Sequence, residues 1–513
     1  MECAIQFKNI TKTFGQVVAN KDVSMEVYHG EILSVLGENG SGKTTLMNML
    51  AGIYYQDSGQ IFVNGKAVEI RSPKDAFALG IGMVHQHFKL VDVFTAAENI
   101  ALGLDKSEHF DLKKVKEQAR AICDQYHFEL DLDQKVYTMS VSQKQTLEIV
   151  KVLYRKVDIL ILDEPTAVLT PQETEKLFEV IRNMQKNGKA IIIITHKLQE
   201  VLSVSDRVAI LRKGEYVGAV ATKEASVQSL TEMMVGKKVD LNIERPEPKN
   251  RIKRLDVKNL TVINSDGIKV LDSVSFDAFE GEILGIAGVS GNGQKELLEA
   301  IAGLQAAEKG SSVQFFAPFK MYSVELLGKT PKEIREAGIH LSFVPEDRLG
   351  MGLVGSMDMT GNMMLKSYEK GKFFLLDRKS PKQLAEQVKD TLEVVTPGIS
   401  TPVSRLSGGN VQKVLVGREI AESPIVLMTA YAVRGLDINT SYTIYHLLNE
   451  QKKKGVAVIY VGEDLDVLLE LCDRILVLCG GRVTGLVDGR TTTKEEVGRL
   501  MTAAPMRGGD SDE

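Results

Sequence analysis

The sequence has few cysteines, no basic excess and no long apolar run, and each absence narrows what the chain can be. Its four cysteines, Cys3, Cys123, Cys472 and Cys479, are scattered over 513 residues without paired metal-ligand spacing. They read as free thiols of a reducing compartment, not as a disulfide framework or a zinc site. The formal net charge is −5, so nothing global argues for nucleic-acid binding. No apolar run approaches the roughly 18–20 residues that a bilayer span needs. The N-terminal stretch shows no basic region followed by a long apolar core, so no signal peptide is expected and a cytosolic protein is.

What is present is an ordinary globular balance, 43% hydrophobic and 26% charged, in a chain long enough for more than one domain. A repeat organises it. "HGEILSVLGENGSGKTT" in the first half returns as "EGEILGIAGVSGNGQKE" in the second, and "SDRVAILRKGEYVG" returns as "CDRILVLCGGRVTG". Gly288 lies 251 residues after Gly37, and Asp473 lies 267 after Asp206, so the second copy carries 16 more residues between these motifs. Two homologous domains are therefore expected, 1–236 and 254–505. A charged linker with two prolines, 237–253, joins them, and a disordered tail, 506–513, follows. Short β-branched runs such as "VDILIL" and "AIIIIT" read as buried parallel strands. Strands alternating with helical stretches make each domain α/β with a mainly parallel sheet.

Gly37-Glu38-Asn39-Gly40-Ser41-Gly42-Lys43-Thr44-Thr45 follows one such strand and opens a helix. Its glycines let backbone N–H groups turn inward around phosphate oxygens, and the helix adds its positive end. Lys43 would reach the terminal phosphates of ATP, and Thr44 would ligate Mg²⁺. Asp163 and Glu164 end the apolar run "DILIL". The first is placed to hold Mg²⁺ and the second to activate water. The alternative for this pair is a helix cap. His196 ends a later strand and would lie near the terminal phosphate if that strand neighbours the phosphate-loop strand.

These motifs resemble the ATP-binding cassette (ABC) ATPases, and the resemblance covers nearly the whole chain. It implies two tandem P-loop ABC ATPase domains, each with a parallel sheet core, an antiparallel β subdomain and a helical subdomain. It implies that Gln86, in "VHQHF", senses Mg²⁺ and meets a membrane partner, with His85 and His87 structural. Phe14, in "KTFG", would stack on adenine; the alternative is an ordinary core phenylalanine. Family members pair their cassettes head to tail, so each nucleotide lies between the phosphate loop of one and the signature of the other. Sorted this way, Lys43, Thr44, Gln86, Asp163, Glu164 and His196 belong with the well-formed signature Leu406-Ser407-Gly408-Gly409-Asn410. The other site collects the losses. Gln294 replaces the lysine and Lys295 comes one step late. Ala430 and Tyr431 replace the acids, Glu463 the histidine and Glu346 the glutamine. Val141 and Ser142 stand where the opposing signature has glycines.

Two fused cassettes with one degenerate site are similar to the ATPase subunits of bacterial simple-sugar and nucleoside importers. "GMVHQHFKLVDVFTAAENIALG" and "ILILDEPTAVLTPQE" are most similar to the branch that serves nucleoside-binding lipoproteins of the basic-membrane-protein type. Tyr431, Ala432 and Ser142 depart from that group's pattern. The resemblance implies a peripheral protein on the cytoplasmic side of the cell membrane. Its partners would be two separate permease subunits, meeting the region Gln86–Phe94 and its counterpart near Glu346, and an extracytoplasmic lipoprotein. No nucleic-acid partner is expected. Phe88, Leu90, Val91 and Phe94 could form the permease groove or pack inside the helical subdomain. A monosaccharide importer, a soluble twin-cassette factor and an ATP-binding scaffold without turnover stand as alternative readings.

Overall fold

The computed structural model describes residues 2–503 except 87, 103–110, 168, 239, 249–250, 265, 290, 319–321, 337–340, 346, 369–375, 422–423, 435 and 463. His87, Glu346, Glu463 and the tail 506–513 thus lie outside the described residues. The chain divides into two compact units, Met1–Val239 and Asp240–Glu513.

In the first unit a six-stranded sheet runs in the order Glu215–Ala221, Arg207–Arg212, Ile32–Leu36, Ala190–Ile194, Ile159–Asp163, Ile81–Val84. Every neighbouring pair is parallel except the outer hairpin Arg207–Arg212 with Glu215–Ala221. The apolar runs form strands because both sheet faces are covered. Ile159 and Ile161 enter one core cluster, while Leu160 and Leu162 enter another. Alternate residues of a strand point to opposite faces, so a strand buried on both sides reads as a continuous run. The first cluster is shared with Ile5 and Phe7 of a four-stranded antiparallel sheet and with Leu46 of the helix Lys43–Leu50. The helices Ala96–Ala101, Leu112–Tyr126 and Val141–Leu153 gather round their own cluster, which includes Ile100, Ala119 and Leu147.

The second unit repeats this plan. Its six strands run Leu341–Val344, Val426–Ala430, Ala457–Val461, Ile283–Ala287, Arg474–Cys479, Arg482–Asp488, again parallel but for the outer hairpin. A four-stranded antiparallel sheet and the helices Met359–Met364, Lys379–Thr391 and Gly408–Ala421 accompany it.

The stretch expected as a linker is not free along its length. The helix Val227–Val235 ends at Gly236, whose φ of 81° stops it in the left-handed region. A few residues on, Ile243 is only 9% exposed and joins the core of the second unit. Arg245 Nη1 donates to the carbonyls of Leu469, Cys472 and Gly489 at 2.7, 2.8 and 3.0 Å. Asn449 Nδ2 donates to Glu244 O at 2.6 Å. Arg490 Nη2 reaches the carbonyls of Arg245 and Pro246. Composition marked the segment as polar, but a guanidinium that caps carbonyls and one isolated apolar anchor leave no periodic signal. Arg245→Ala should free this segment and destabilise the second unit by about 2 kcal/mol, the scale of charge-assisted hydrogen bonds lost from a part-buried site. Hydrogen exchange should quicken over 242–248 and stay unchanged in the first unit.

Candidate functional site

Backbone packing shapes the phosphate loop of the first unit. Gly42, at φ 94°, precedes the helix, and a Cβ there would meet Ala19 O at 2.3 Å. A Cβ on Gly37 would meet Leu211 O at 2.3 Å. Only glycine fits either place. Asn20, buried in the neighbouring strand, donates Nδ2 to Gly42 O at 3.2 Å and ties the loop down. Ser41 Oγ is buried without a hydrogen-bond partner among the described residues. Asn39, Gly40 and Thr44 are exposed on the open side, with Glu38 and Thr45 half-buried.

Lys43 is 7% exposed, and its Nζ donates to Gly37 O at 2.7 Å and Glu38 O at 3.0 Å. Burial pushes its pKa down, while Glu164, Asp163 and Glu38 pull it back towards the charged form. The ammonium has three protons, and these carbonyls take two.

The strand Ala190–Ile194 pairs directly with the phosphate-loop strand Ile32–Leu36 and also with Ile159–Asp163. The neighbour relation on which His196 depended is therefore met. Asp163, paired with Ile194 at the strand end, is 6% exposed. Glu164 follows with φ 48° and donates its N–H to Ile194 O at 2.8 Å. A non-glycine residue in this region costs on the order of 1 kcal/mol, and here it turns the carboxylate out of the strand end. Gln86 Nε2 donates to Glu164 Oε2 at 3.2 Å, and His196 Nδ1 lies 2.9 Å from Oε1. An ionised carboxylate only accepts, so Nδ1 carries the proton and Nε2 faces away. Burial pushes the Glu164 pKa up, but the His196 bond and the charges of Lys43 and Lys197 outweigh it, and the carboxyl sits below its usual range.

Phe14 ends the first strand at 43% exposure, so it is not a core residue. Tyr54 meets it edge-on, with centroids 5.2 Å apart. Lys12 Nζ lies 5.4 Å from the Phe14 ring centre and 5.0 Å from that of Tyr55. Lys12 pairs in register with Asn20, which holds Gly42, so the aromatic group stands next to the loop. Asp57 fixes it by accepting from Lys12 Nζ, Thr13 N and Thr13 Oγ1 at 2.7 Å each. These bonds hold the Asp57 carboxyl down to about 2. The sequence reading missed Tyr54, Tyr55 and Asp57; their signal was the "YYQD" that follows the helix. Beyond Gln86, Leu90 packs against the helical cluster, whereas Val91 at 38% and Phe94 at 36% are exposed and Phe88 is half-buried. His85 is half-buried, and burial lowers its pKa.

The second unit keeps the shapes and drops the charges. Gln294 Nε2 donates to Val289 O at 3.1 Å, the carbonyl matching Glu38 O. Lys295 is 45% exposed and lies 3.9 Å from Glu299, along the helix. Tyr431 takes Glu164's backbone conformation, φ 53°, and its N–H bonds Val461 O at 3.0 Å. Its ring is 8% exposed and joins the core. Ser407 and Gly408 are exposed, Gly409 and Asn410 half-buried, at the start of the helix Gly408–Ala421. Asn410 Nδ2 donates to Ser407 Oγ at 2.8 Å. In the first unit Ser140 and Gln143 instead close a capping box on themselves.

Among the described residues no cluster of three or more His, Cys, Asp or Glu side chains could hold a metal. Thr44, Gln86 and Asp163 offer one hydroxyl, one amide and one carboxylate. Such a set suits Mg²⁺ that arrives on phosphates and keeps waters, not a resident ion. No helix among the described residues is long and apolar enough to cross a membrane.

The family model described as ABC transporter matches residues 20–167 and 271–429. The chain is 40% identical over 505 residues to the nucleoside import ATP-binding protein NupA of Lactococcus lactis subsp. cremoris (strain MG1363), with 98% of each chain covered. It is 39% identical over 512 residues to the guanosine import ATP-binding protein NupO of Bacillus subtilis (strain 168), with 99% of each covered. The ribose import ATP-binding protein RbsA 2 of Escherichia coli O157:H7 is 36% identical over 504 residues, 97% of this chain and 96% of that protein. A phosphate loop holding a buried lysine, a strand-end carboxylate bridged by an amide and an imidazole, and matches that span both units lead to one conclusion: the chain belongs to the ABC transporter family, with one ATP-binding cassette in each unit.

Proposed function

We propose that this chain is the ATP-hydrolysing subunit of a nucleoside importer, acting through separate membrane permease subunits and one catalytic site. The observation that carries the hydrolytic part is the Glu164 carboxylate, bridged by Gln86 and His196 in the unit that has Lys43. The nucleoside cargo is supported by the names of the 40% and 39% identical relatives. The 36% identical ribose import protein supports a monosaccharide as second reading.

In the proposed reaction Lys43 and the N–H groups of Gly40–Thr45 take up the charge of the β- and γ-phosphates. Phe14, beside Tyr54, stacks on the adenine. Glu164 accepts a proton from the attacking water. Its bond from His196 Nδ1 leaves Nε2 to face the terminal phosphate. Thr44, Gln86 and Asp163 would hold Mg²⁺, which when bound neutralises phosphate charge. Ser407, Gly408, Gly409 and Asn410 are the proposed phosphate contacts of the second unit, since the first N–H groups of a helix have no intrahelical partner and favour an anion. The exposed Val91 and Phe94 beside Gln86 are the proposed permease contact, together with the region near Glu346. This would seat the chain on the cytoplasmic face of the cell membrane, opposite an extracytoplasmic lipoprotein that captures the cargo.

Glu164→Gln should cut kcat for ATP by about 10²–10⁴-fold, the range of general-base catalysis, while ATP binding persists. Gln294→Lys should leave turnover unchanged, because Ala430 and Tyr431 still supply no acid there. Robust phosphate release by Glu164→Gln would refute the assignment. His196 holds the Glu164 pKa down and burial pushes it up, so His196→Ala should raise it. The base form then disappears at higher pH as acid is added, and the acid limb of the kcat profile should move upward in pH. The cargo is read from reconstituted vesicles of this chain with its permease and lipoprotein: labelled nucleoside should accumulate with ATP and labelled ribose should not. The reverse result would select the monosaccharide reading.

A further inference from the structure

The signature of the second unit holds two adjacent glycines, Gly408 and Gly409. A peptide between glycines is the most freely rotating in a chain, yet catalysis by backbone N–H groups needs it held in one orientation. The helix Gly408–Ala421 orients it within its first turn, and a side chain from elsewhere in the unit adds a second hold. Arg348 lies in the turn after the strand Leu341–Val344. Its Nη1 donates to Gly408 O at 2.9 Å and its Nη2 to Arg434 O at 2.7 Å. A Cβ on residue 408 would sit 3.1 Å from Nη1, so the close approach suits glycine.

The turn that carries Arg348 is itself fastened. Asp347 Oδ1 accepts from Gly350 N at 2.8 Å. Arg418, 6% exposed and farther along the signature helix, donates Nη2 to Gly352 O at 2.6 Å. A Cβ on Gly352 would meet Leu415 Cδ2 of the same helix at 2.7 Å. The turn is therefore bound to the helix near its start and again near its C-terminal end. In a trans peptide the C=O and the following N–H point in opposite directions. Pinning Gly408 O thus aims the N–H of Gly409.

The first unit lacks the arginine and the glycine of this arrangement, although Lys151, at the place of Arg418, still ties its helix to Lys89 O at 3.0 Å. Counting from Gln86 and Glu346, Phe88 stands where Arg348 does. Counting from Ser140 and Ser407, Val141 and Ala167 stand where Gly408 and Arg434 do. Clamp and glycine signature occur together in one unit and are missing together from the other.

We propose that Arg348 is a positioning residue for ATP hydrolysis, holding the Gly408–Gly409 peptide with the Gly409 N–H aimed at the γ-phosphate. This rests on the proposed role of the Ser407–Asn410 signature in contacting nucleotide phosphate. Arg348 thereby ties the signature to the turn that follows Glu346.

The test is steady-state ATP hydrolysis by the full chain carrying Arg348→Ala or Arg348→Lys, with Glu164→Gln in parallel and thermal unfolding of each. Arg348→Ala should lower kcat about tenfold or more, as misaimed catalytic groups do. KM for ATP should stay within about threefold, because the phosphate loop and Phe14 lie in the other unit. Arg348→Lys, a point charge without the planar fork, cannot span both carbonyls and should restore kcat only in part. If Arg348→Ala unfolds early, Arg348→Lys decides: a reduced kcat at wild-type unfolding temperature supports the clamp, and a wild-type kcat overturns it. A loss carried by KM alone also overturns it. Turnover surviving in Glu164→Gln would instead sink the reading of the site. An inactive Glu164→Gln beside wild-type Arg348 variants would sink only the clamp.

Discussion

Lys43 places a positive charge at 7% exposure inside a loop of backbone groups, and the surrounding chain makes that charge tolerable without cancelling it. Two loop carbonyls hold the ammonium, and the charges of Glu164, Asp163 and Glu38 oppose the lowering of its pKa by burial. A buried charge is costly unless its protons are satisfied. Here the two bonds go to neutral carbonyls, which leaves one ammonium proton for an anionic ligand. The same charge helps to hold Glu164 ionised. That buried cation thus adds to the His196 bond in lowering the Glu164 pKa.

The second unit separates shape from chemistry. Gln294 makes the loop-tying bond to Val289 O without bringing a charge. Tyr431 keeps the left-handed backbone of Glu164 and its bond across to the neighbouring strand, but turns its ring into the core. The loops survive because the sheet packs on them: a Cβ on Gly293 would meet Leu271 Cδ2 at 2.5 Å and Val270 O at 2.7 Å. The unit retains its fold and, with it, a rigid seat for the Ser407–Asn410 signature. A similar exchange marks the strand ends. Asp206 accepts from neutral Gln185 at 2.7 Å, whereas its counterpart Asp473 accepts from Lys452 at 2.7 Å, with side chains 3% and 1% exposed. Arg245 and Arg490 stand beside that buried pair, where the segment entering the second unit is fastened.

Much of the fold was legible because its signals are local. The runs around Leu160 and Ile192 are apolar at every position, and that occurs where both strand faces are covered. The loop motif holds glycines, lysine and threonine within a few covalent bonds, so its shape follows from spacing alone. The repeat doubled each inference. Other features had no such signal. Phe14 could be read as core or as surface, since one aromatic after a strand carries no period. The apolar residues after Gln86 divided, with Leu90 turning inward and Val91 and Phe94 outward. The fixed course of residues 243–246 depends on arginines whose partners are more than 200 residues away in sequence.

By itself, then, the sequence determined the two α/β cassettes, the phosphate loop, and the identity of the acid and histidine at the strand ends. Each of these is written in neighbouring residues or in a strand's own pattern. Only the tertiary structure decided that Gln86 and His196 close on the two oxygens of Glu164, that Asn20 braces Gly42, and that Arg348 grips the carbonyl of Gly408. Those contacts join residues 22 to 78 positions apart in the chain. A side chain's choice among such distant partners is set by where the sheet and helices place the backbone, and spacing along the chain carries no record of it.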